Sequence, residues 1–169
     1  MPSLAVPAPL VPYLRMAAGV FCSAVLIAAM GRVLDMPLLM APFLATAALK
    51  HSAPHLPGVA PRRVIGGHVV GAVAGVMVGN LLGVGALAMA LAAAGAAVAM
   101  MRLDVLHAPG VATAAVAIQH HGDVWFPLAA VAVGAATLVV TTMLLAPVLH
   151  GHRYPVPRAP RGEPAAATS

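Results

Sequence analysis

His68 and His107 both lie in apolar stretches of the chain, where an imidazole is expensive to hold without a task. Imidazole titrates nearest neutrality of the ordinary side chains, so each could donate to an anion or relay a proton. His107 stands directly before Ala108-Pro109-Gly110. Pro109 and Thr113 repeat, 67 positions on, the pair Pro42 and Thr46, within the matching segments Ala41-Pro-Phe-Leu-Ala-Thr-Ala-Ala48 and Ala108-Pro-Gly-Val-Ala-Thr-Ala-Ala115. Alanine identities carry little weight here; the prolines and threonines in register carry the match. Proline is at home in the first helical turn, where its missing N–H is no loss. Each copy therefore predicts a helix start after unwound backbone. Such a start, in a low-dielectric interior, offers unpaired N–H groups and the positive end of the helix dipole to an anion. The expected donors are the backbone N–H groups of Phe43, Leu44, Gly110 and Val111, with the Thr46 and Thr113 hydroxyls one turn further in. His107 would touch the bound anion, and His68, after Gly66-Gly67, would line the same cavity. The competing reading is that Pro42 and Pro109 only kink two packing helices and that each histidine only links helices.

Other chemistries find little support. Eight histidines raise the question of haem or metal, but His51 and His55 are separated by Pro54, and His120-His121 lacks partners at ligand spacing. No metal or other cofactor is expected. Cys22 is the single cysteine, which excludes an internal disulfide. No nucleophile with base and orienting acid is visible, nor a phosphate-binding or dinucleotide glycine loop preceded by a strand. An enzyme is not expected.

The elements that must position these residues follow from composition. Hydrophobic residues make up 62% of the 169, charged residues 8%, and mean hydropathy is +0.98, whereas a soluble domain carries about 25% charged residues. The chain is expected to be solvated by a lipid bilayer, as an integral membrane protein of a bacterial inner (plasma) membrane. The basic residues lack interleaved aromatics, so nucleic acid is not an expected partner. Whether the protein forms a homo-oligomer stays open. Met1 to Pro12 lacks the basic n-region and the cleavage site of a secretory signal.

Spanning segments are expected at Leu14–Val33, Val64–Leu82, Val84–Met101 and Trp125–Leu149, with Trp125 as an interfacial anchor. Between them lie two short elements, Met36–Leu49 and Asp104–Gln119, broken by Pro37 and Pro42 in the first and Pro109 in the second. Fourteen residues of helix reach only about 21 Å against a hydrocarbon core of about 30 Å, so the first is expected to be a broken or re-entrant helix. His51–Arg63 reads as a polar loop. Gly67, Gly71, Gly75 and Gly79 form a four-residue ladder, a bare face for close helix packing.

The expected fold is thus an all-α polytopic bundle. An N-terminal segment, 1–13, precedes the transmembrane domain 14–149, and a disordered tail, 150–169, follows it. The domain reads as an internal three-element repeat with halves 14–82 and 84–149. If every short element crosses, the odd number per half inverts the repeat. Arg15, Lys50, Arg62, Arg63, Arg102, Arg153, Arg158 and Arg161 then share the inner side, and Arg32 alone lies outside, as the positive-inside rule favours. Asp35 and Asp104 are expected to pair locally with Arg32 and Arg102.

Pro61-Arg-Arg-Val-Ile-Gly-Gly-His68 resembles the Pro-Arg-Asn-Val-Ile-Gly-Gly-His segment of the HPP family of integral membrane proteins. His107-Ala-Pro-Gly-Val-Ala-Thr-Ala resembles that family's His-Pro-Pro-Ala-Gly-Ala-Thr-Ala stretch, and Ala41 to Ala48 its Ala-Pro-Phe-Gly-Ala-Ser-Ala element. Ala108 replaces the middle residue of the namesake triad, Arg63 an asparagine, and Thr46 a serine whose hydroxyl it keeps. The resemblance implies a membrane protein without catalytic activity, and plant members are associated with nitrite transport into chloroplasts. The expected function is a transporter or channel for a small monovalent anion, nitrite first, at the repeat interface. The alternative is a structural or regulatory module that transports nothing and packs on a partner through its glycine ladder.

Overall fold

The computed structural model describes residues 10–38, 40–123 and 125–156, with Pro127 and Leu128 described in backbone only. Six α-helices make up this part: α1 (Leu10–Leu34), α2 (Ala41–Ser52), α3 (Pro61–Leu82), α4 (Ala86–Arg102), α5 (Ala108–Ala117) and α6 (Ala132–His150). A π-helical turn, Pro127–Val131, leads into α6. Three helices are long and apolar enough to cross a bilayer, namely α1, α3 and the continuous stretch Ala129–His150. Val33, Leu81 and Val148 are about four-fifths exposed (80%, 79% and 82%), a surface suited to acyl chains rather than water.

Local chemistry explains the boundaries. Pro61 opens α3 and Pro42 and Pro109 sit in the first turns of α2 and α5, positions that lack an intrahelical N–H bond in any residue. α3 stops at Gly83, whose φ of 72° needs no Cβ. α1 and α4 close alike: beyond each, an aspartate turns left-handed (Asp35 φ 51°, Asp104 φ 53°). Met36 N–H then reaches back to Gly31 O and Val105 N–H to Met100 O, both at 2.8 Å. These backbonds satisfy otherwise orphan carbonyls at the two helix ends.

Contacts fix the helix directions. Gly31 meets Leu38 and Gly19 meets His51, so α2 runs back along α1. Gly67, Gly71, Gly75 and Gly79 meet His107, Gly110, Ala114 and Ile118 in turn, so α5 runs parallel to α3. Arg62 and Arg63, opening α3, pair with Asp104 just past α4, so α4 runs against α3. The start of α1 and the end of α6 share a cleft lined by Arg15, His150 and His152, while Met36 and Pro37 meet Asp123, Trp125 and Phe126 at the far end. Direction therefore alternates at every helix, and both described ends of the chain lie on the same side, with Arg15, Arg62 and Arg153.

Several expectations are corrected. The polar loop is 53–60 rather than His51–Arg63, because α2 runs on to Ser52 and α3 already starts at Pro61. Asp104 pairs with Arg63 at 2.6 Å and Arg62 at 3.4 Å instead of Arg102, since the turn past α4 delivers it to α3. The glycine ladder is filled by α5 of the same chain: a Cβ on Gly71 would overlap the Gly110 carbonyl oxygen. It is no free docking face. The tail is ordered as far as residue 156, with Tyr154 buried and its hydroxyl donating to Val59 O. The remainder of the expected tail, 157–169, and residues 1–9 lie outside the described residues.

Candidate functional site

The two short helices carry the site: α5 packs on α3 and α4, α2 on α1 and α6, and the two meet each other. On α2, Phe43, Thr46, Ala47 and Lys50 form one buried face, the i, i+3, i+4, i+7 stripe of a helix. On α5, Pro109, Gly110, Thr113 and Ala114 do the same. Gly110 has no Cβ to keep α5 off α3, where one would strike the Gly67 carbonyl carbon at 2.6 Å. That approach brings His68 and His107 together, their ring centroids 5.0 Å apart in an edge-to-face arrangement.

Four buried side chains form one chain of hydrogen bonds. Thr113 Oγ1 lies 2.7 Å from His68 Nδ1, and His68 Nε2 lies 2.8 Å from Thr46 Oγ1. Thr46 Oγ1 lies 2.9 Å from His107 Nε2, and His107 Nδ1 donates to Gly58 O at 2.8 Å. Thr46 and Thr113 also face the carbonyls of Pro42 and Pro109, one turn back, at 3.0 and 3.4 Å. All four side chains have 0% exposure. Phe43 stands edge-on to His68, centroids 4.7 Å apart, with its ring seated against Gly134 of α6. Among the described residues, no buried side-chain nitrogen or oxygen lacks a partner. The site is closed and fully hydrogen-bonded.

Thr46, His68, His107 and Thr113 are thus in mutual contact, with Pro42, Phe43, Pro109 and Gly110 in the turns that frame them. The expected backbone donors are different. The N–H groups of Phe43 and Leu44 bond to Met40 O, at 3.0 and 3.3 Å, and Gly110 N–H bonds to His107 O at 2.9 Å. Each N-cap carbonyl closes its own first turn, so these groups are not free for a ligand. Polar capacity lies in side chains instead.

Lys50 is the residue that sequence reasoning misplaced, as an inner-face charge. It is 1% exposed, its ammonium donates to Leu138 O at 2.8 Å, and it sits 4.5 Å from the centre of the Tyr154 ring. Leu138 lies near the middle of Ala129–His150, so Lys50 brings an amino group to the middle of that apolar helix. The signal was present: Lys50 follows Thr46 by four residues, on the same helix face. Asp35, Asp104 and Asp123, the carboxylates among the described residues, are all exposed at helix ends.

A second polar group lies nearer the basic end. His51 contacts Ser23 Oγ through Nε2 at 3.2 Å and His150 through Nδ1 at 3.0 Å, beside the cleft with Arg15 and His152. Among the described residues, no group of three or more histidine, cysteine or acidic side chains is arranged to hold a metal ion.

Alternating apolar helices, lipid-suited surfaces and a polar centre sealed from both ends define a polytopic integral membrane protein. The chain matches the family described as HPP, transmembrane region, over residues 6–155, and with that span it belongs to this family. No curated protein matches it significantly, and neither does any solved structure.

Proposed function

We propose that the protein moves a small monovalent anion, nitrite or a close relative, across a bacterial inner membrane, and catalyses no reaction. The observation that carries this reading is the sign of the buried interior. Lys50, His68, His107 and two threonine hydroxyls lie at depth, while every described carboxylate is at a helix end. Charge and dipoles act strongly where water is excluded, and here they favour an anion over a cation.

The site would lie between two inverted halves, α1–α3 and α4–α6. Exchanging α1 with α4, α2 with α5 and α3 with α6 turns the α1–α2 and α1–α6 contacts into the α4–α5 and α4–α3 contacts, all of which occur. The paired left-handed aspartates and the paired threonine backbonds support the same relation. A centre with no exposed surface supports gated, alternating access over an open pore.

The test is a stopped-flow liposome assay comparing nitrite, nitrate, formate and chloride. His107→Ala and Thr113→Val are each expected to slow the preferred anion about tenfold, the loss of one hydrogen bond to a charged group of roughly 1.5 kcal/mol. Unchanged flux in both, with protein correctly inserted, removes these residues from the site.

A further inference from the structure

We propose that the chain Thr113, His68, Thr46, His107, Gly58 is a proton wire, and that protons move along it together with the transported anion. The anion half of this statement rests on the reading above; the wire itself rests on geometry.

The hydrogen positions follow from one fixed point. Gly58 O can only accept, so His107 Nδ1 carries a proton. In a neutral imidazole Nε2 is then bare and needs a donor, and the hydroxyl of Thr46 is the group within bonding distance. With its proton committed to His107, Thr46 must accept from His68 Nε2. His68 Nδ1 is then bare and takes the hydroxyl proton of Thr113. Both rings are neutral, of opposite tautomer, and all four bonds point towards Gly58. The structure offers two alternative seats for a proton: if Thr46 turns its hydroxyl to Pro42 O, 3.0 Å away, the chain can hold an extra proton with His107 doubly protonated, and if Thr113 turns to Pro109 O, 3.4 Å away, with His68 doubly protonated. Lys50, one turn along α2, is the charged neighbour on that helix. His51 is the other buried titratable side chain of α2; the buried faces of α3 and α5 add none beyond His68, and α6 adds only the neutral hydroxyls of Thr141 and Thr142.

Transfer balances without a co-reactant. A proton reaching Thr113 Oγ1 sends the hydroxyl's own proton to His68 Nδ1. The Nε2 proton of His68 passes to Thr46, that of Thr46 passes to His107 Nε2, and the Nδ1 proton of His107 passes to solvent water at the partly buried Gly58. One proton enters and one leaves. Transfer leaves His107 Nδ1 bare against a carbonyl, which cannot donate to it, so the wire must reorient before the next passage. The exit lies at the partly buried Gly58 in the loop 53–60, on the side that holds Arg62 and Arg63.

Two measurements test this. Nitrogen-15 NMR in bilayers should find His107 protonated at Nδ1 and His68 at Nε2; the opposite tautomer at either ring overturns the assignment. In proteoliposomes holding a pH-sensitive dye, with potassium and valinomycin clamping the voltage and protein-free leakage subtracted, a nitrite gradient should carry protons inward. Thr46→Val should cut proton entry at least about a hundredfold, the low end for loss of a proton-transfer group, and Thr46→Ser should restore it. Proton entry equal in wild type and Thr46→Val overturns the proposal. Should Thr46→Val fail to insert, His107→Asn serves: its amide N–H can still reach Gly58 O but cannot relay, so wild-type proton entry in that variant is equally fatal. Anion flux with no proton movement sinks the wire and leaves the anion reading standing; proton movement without anion flux does the reverse.

Discussion

Lys50→Met separates function from stability in one substitution. The ammonium of Lys50 is 1% exposed, with one carbonyl and one aromatic face for company. A buried charge held so sparsely is costly. Methionine is unbranched and close in length, and swaps of conserved volume cost less than about 1.5 kcal/mol. The substitution strands no acceptor, because Leu138 O also takes the Thr142 hydroxyl at 2.9 Å. Replacing buried ionic groups by apolar ones of similar volume has stabilised proteins by about 1–4 kcal/mol, and each kcal/mol raises the melting temperature of a chain this size by roughly 2–4 °C. A higher melting temperature is therefore expected. Anion flux should fall about tenfold or more, the loss of a hydrogen bond to a charged group of roughly 1.5–3 kcal/mol. The assay pairs thermal unfolding in detergent with liposome flux of the preferred anion. Wild-type flux in Lys50→Met would refute the argument from the sign of the interior, and a lower melting temperature would show that the lysine is held there for structure.

Two further predictions concern packing and pH. Gly71→Ala should destabilise by about 1–3 kcal/mol, the usual cost of overpacking, because the new Cβ meets the Gly110 carbonyl; Gly95→Ala, with nothing within 4 Å, should instead be neutral or stabilising by up to about 1 kcal/mol. Thermal unfolding of the two variants side by side checks this, and equal melting temperatures would refute the tight α3–α5 seam. Burial raises the pKa of Tyr154 above its ordinary value of 10.0. The folded state therefore favours the neutral phenol: this contribution is complete below pH 10 and is lost as pH rises towards the raised value. Tyr154→Phe should be less stable than wild type by about 1 kcal/mol at pH 8, one hydrogen bond, and the gap should narrow above pH 10.

How much of this was legible in the sequence depends on the range of each interaction. The two proline starts were legible because a proline acts on its own turn, and the structure puts both where the repeat placed them. His68, His107, Thr46 and Thr113 were legible as a group only because a polar residue in an apolar run has few other uses. The closing of each helix start by its own N-cap carbonyl was not legible, since free and backbonded N–H groups have the same residues. Lys50 was misread because a lysine at the end of an apolar run resembles a headgroup anchor; only the continuation of α2 to Ser52 turns it inward. The pairing of Asp104 with Arg62 and Arg63 and the contact of Tyr154 with Val59 join residues 41, 42 and 95 positions apart, beyond any local pattern.

The position at which the two proline segments differ says which part of the centre has room to open. Phe43 occupies in α2 the place that Gly110 occupies in α5. Gly110 lets the α5 backbone touch α3 directly, so at that point no side chain stands between the two helices to rotate aside. Phe43 instead holds α2 away from its neighbours by a ring that rests on Gly134 and stands edge-on to His68, and a ring has rotamers. α2 is entered through the extended Met40 and left through the loop after Ser52, while carrying both Thr46 and Lys50. Interiors packed this tightly rearrange between discrete states rather than deform gradually. An anion reaching the centre would therefore be admitted by displacement of α2 against a fixed α3–α5 pair, which breaks the Thr46 contacts to His68 and His107 while leaving His68 bonded to Thr113. In that geometry the event that opens the site is the one that interrupts the wire, so a proton can pass only once α2 has closed again on the anion, and the two movements belong to one cycle.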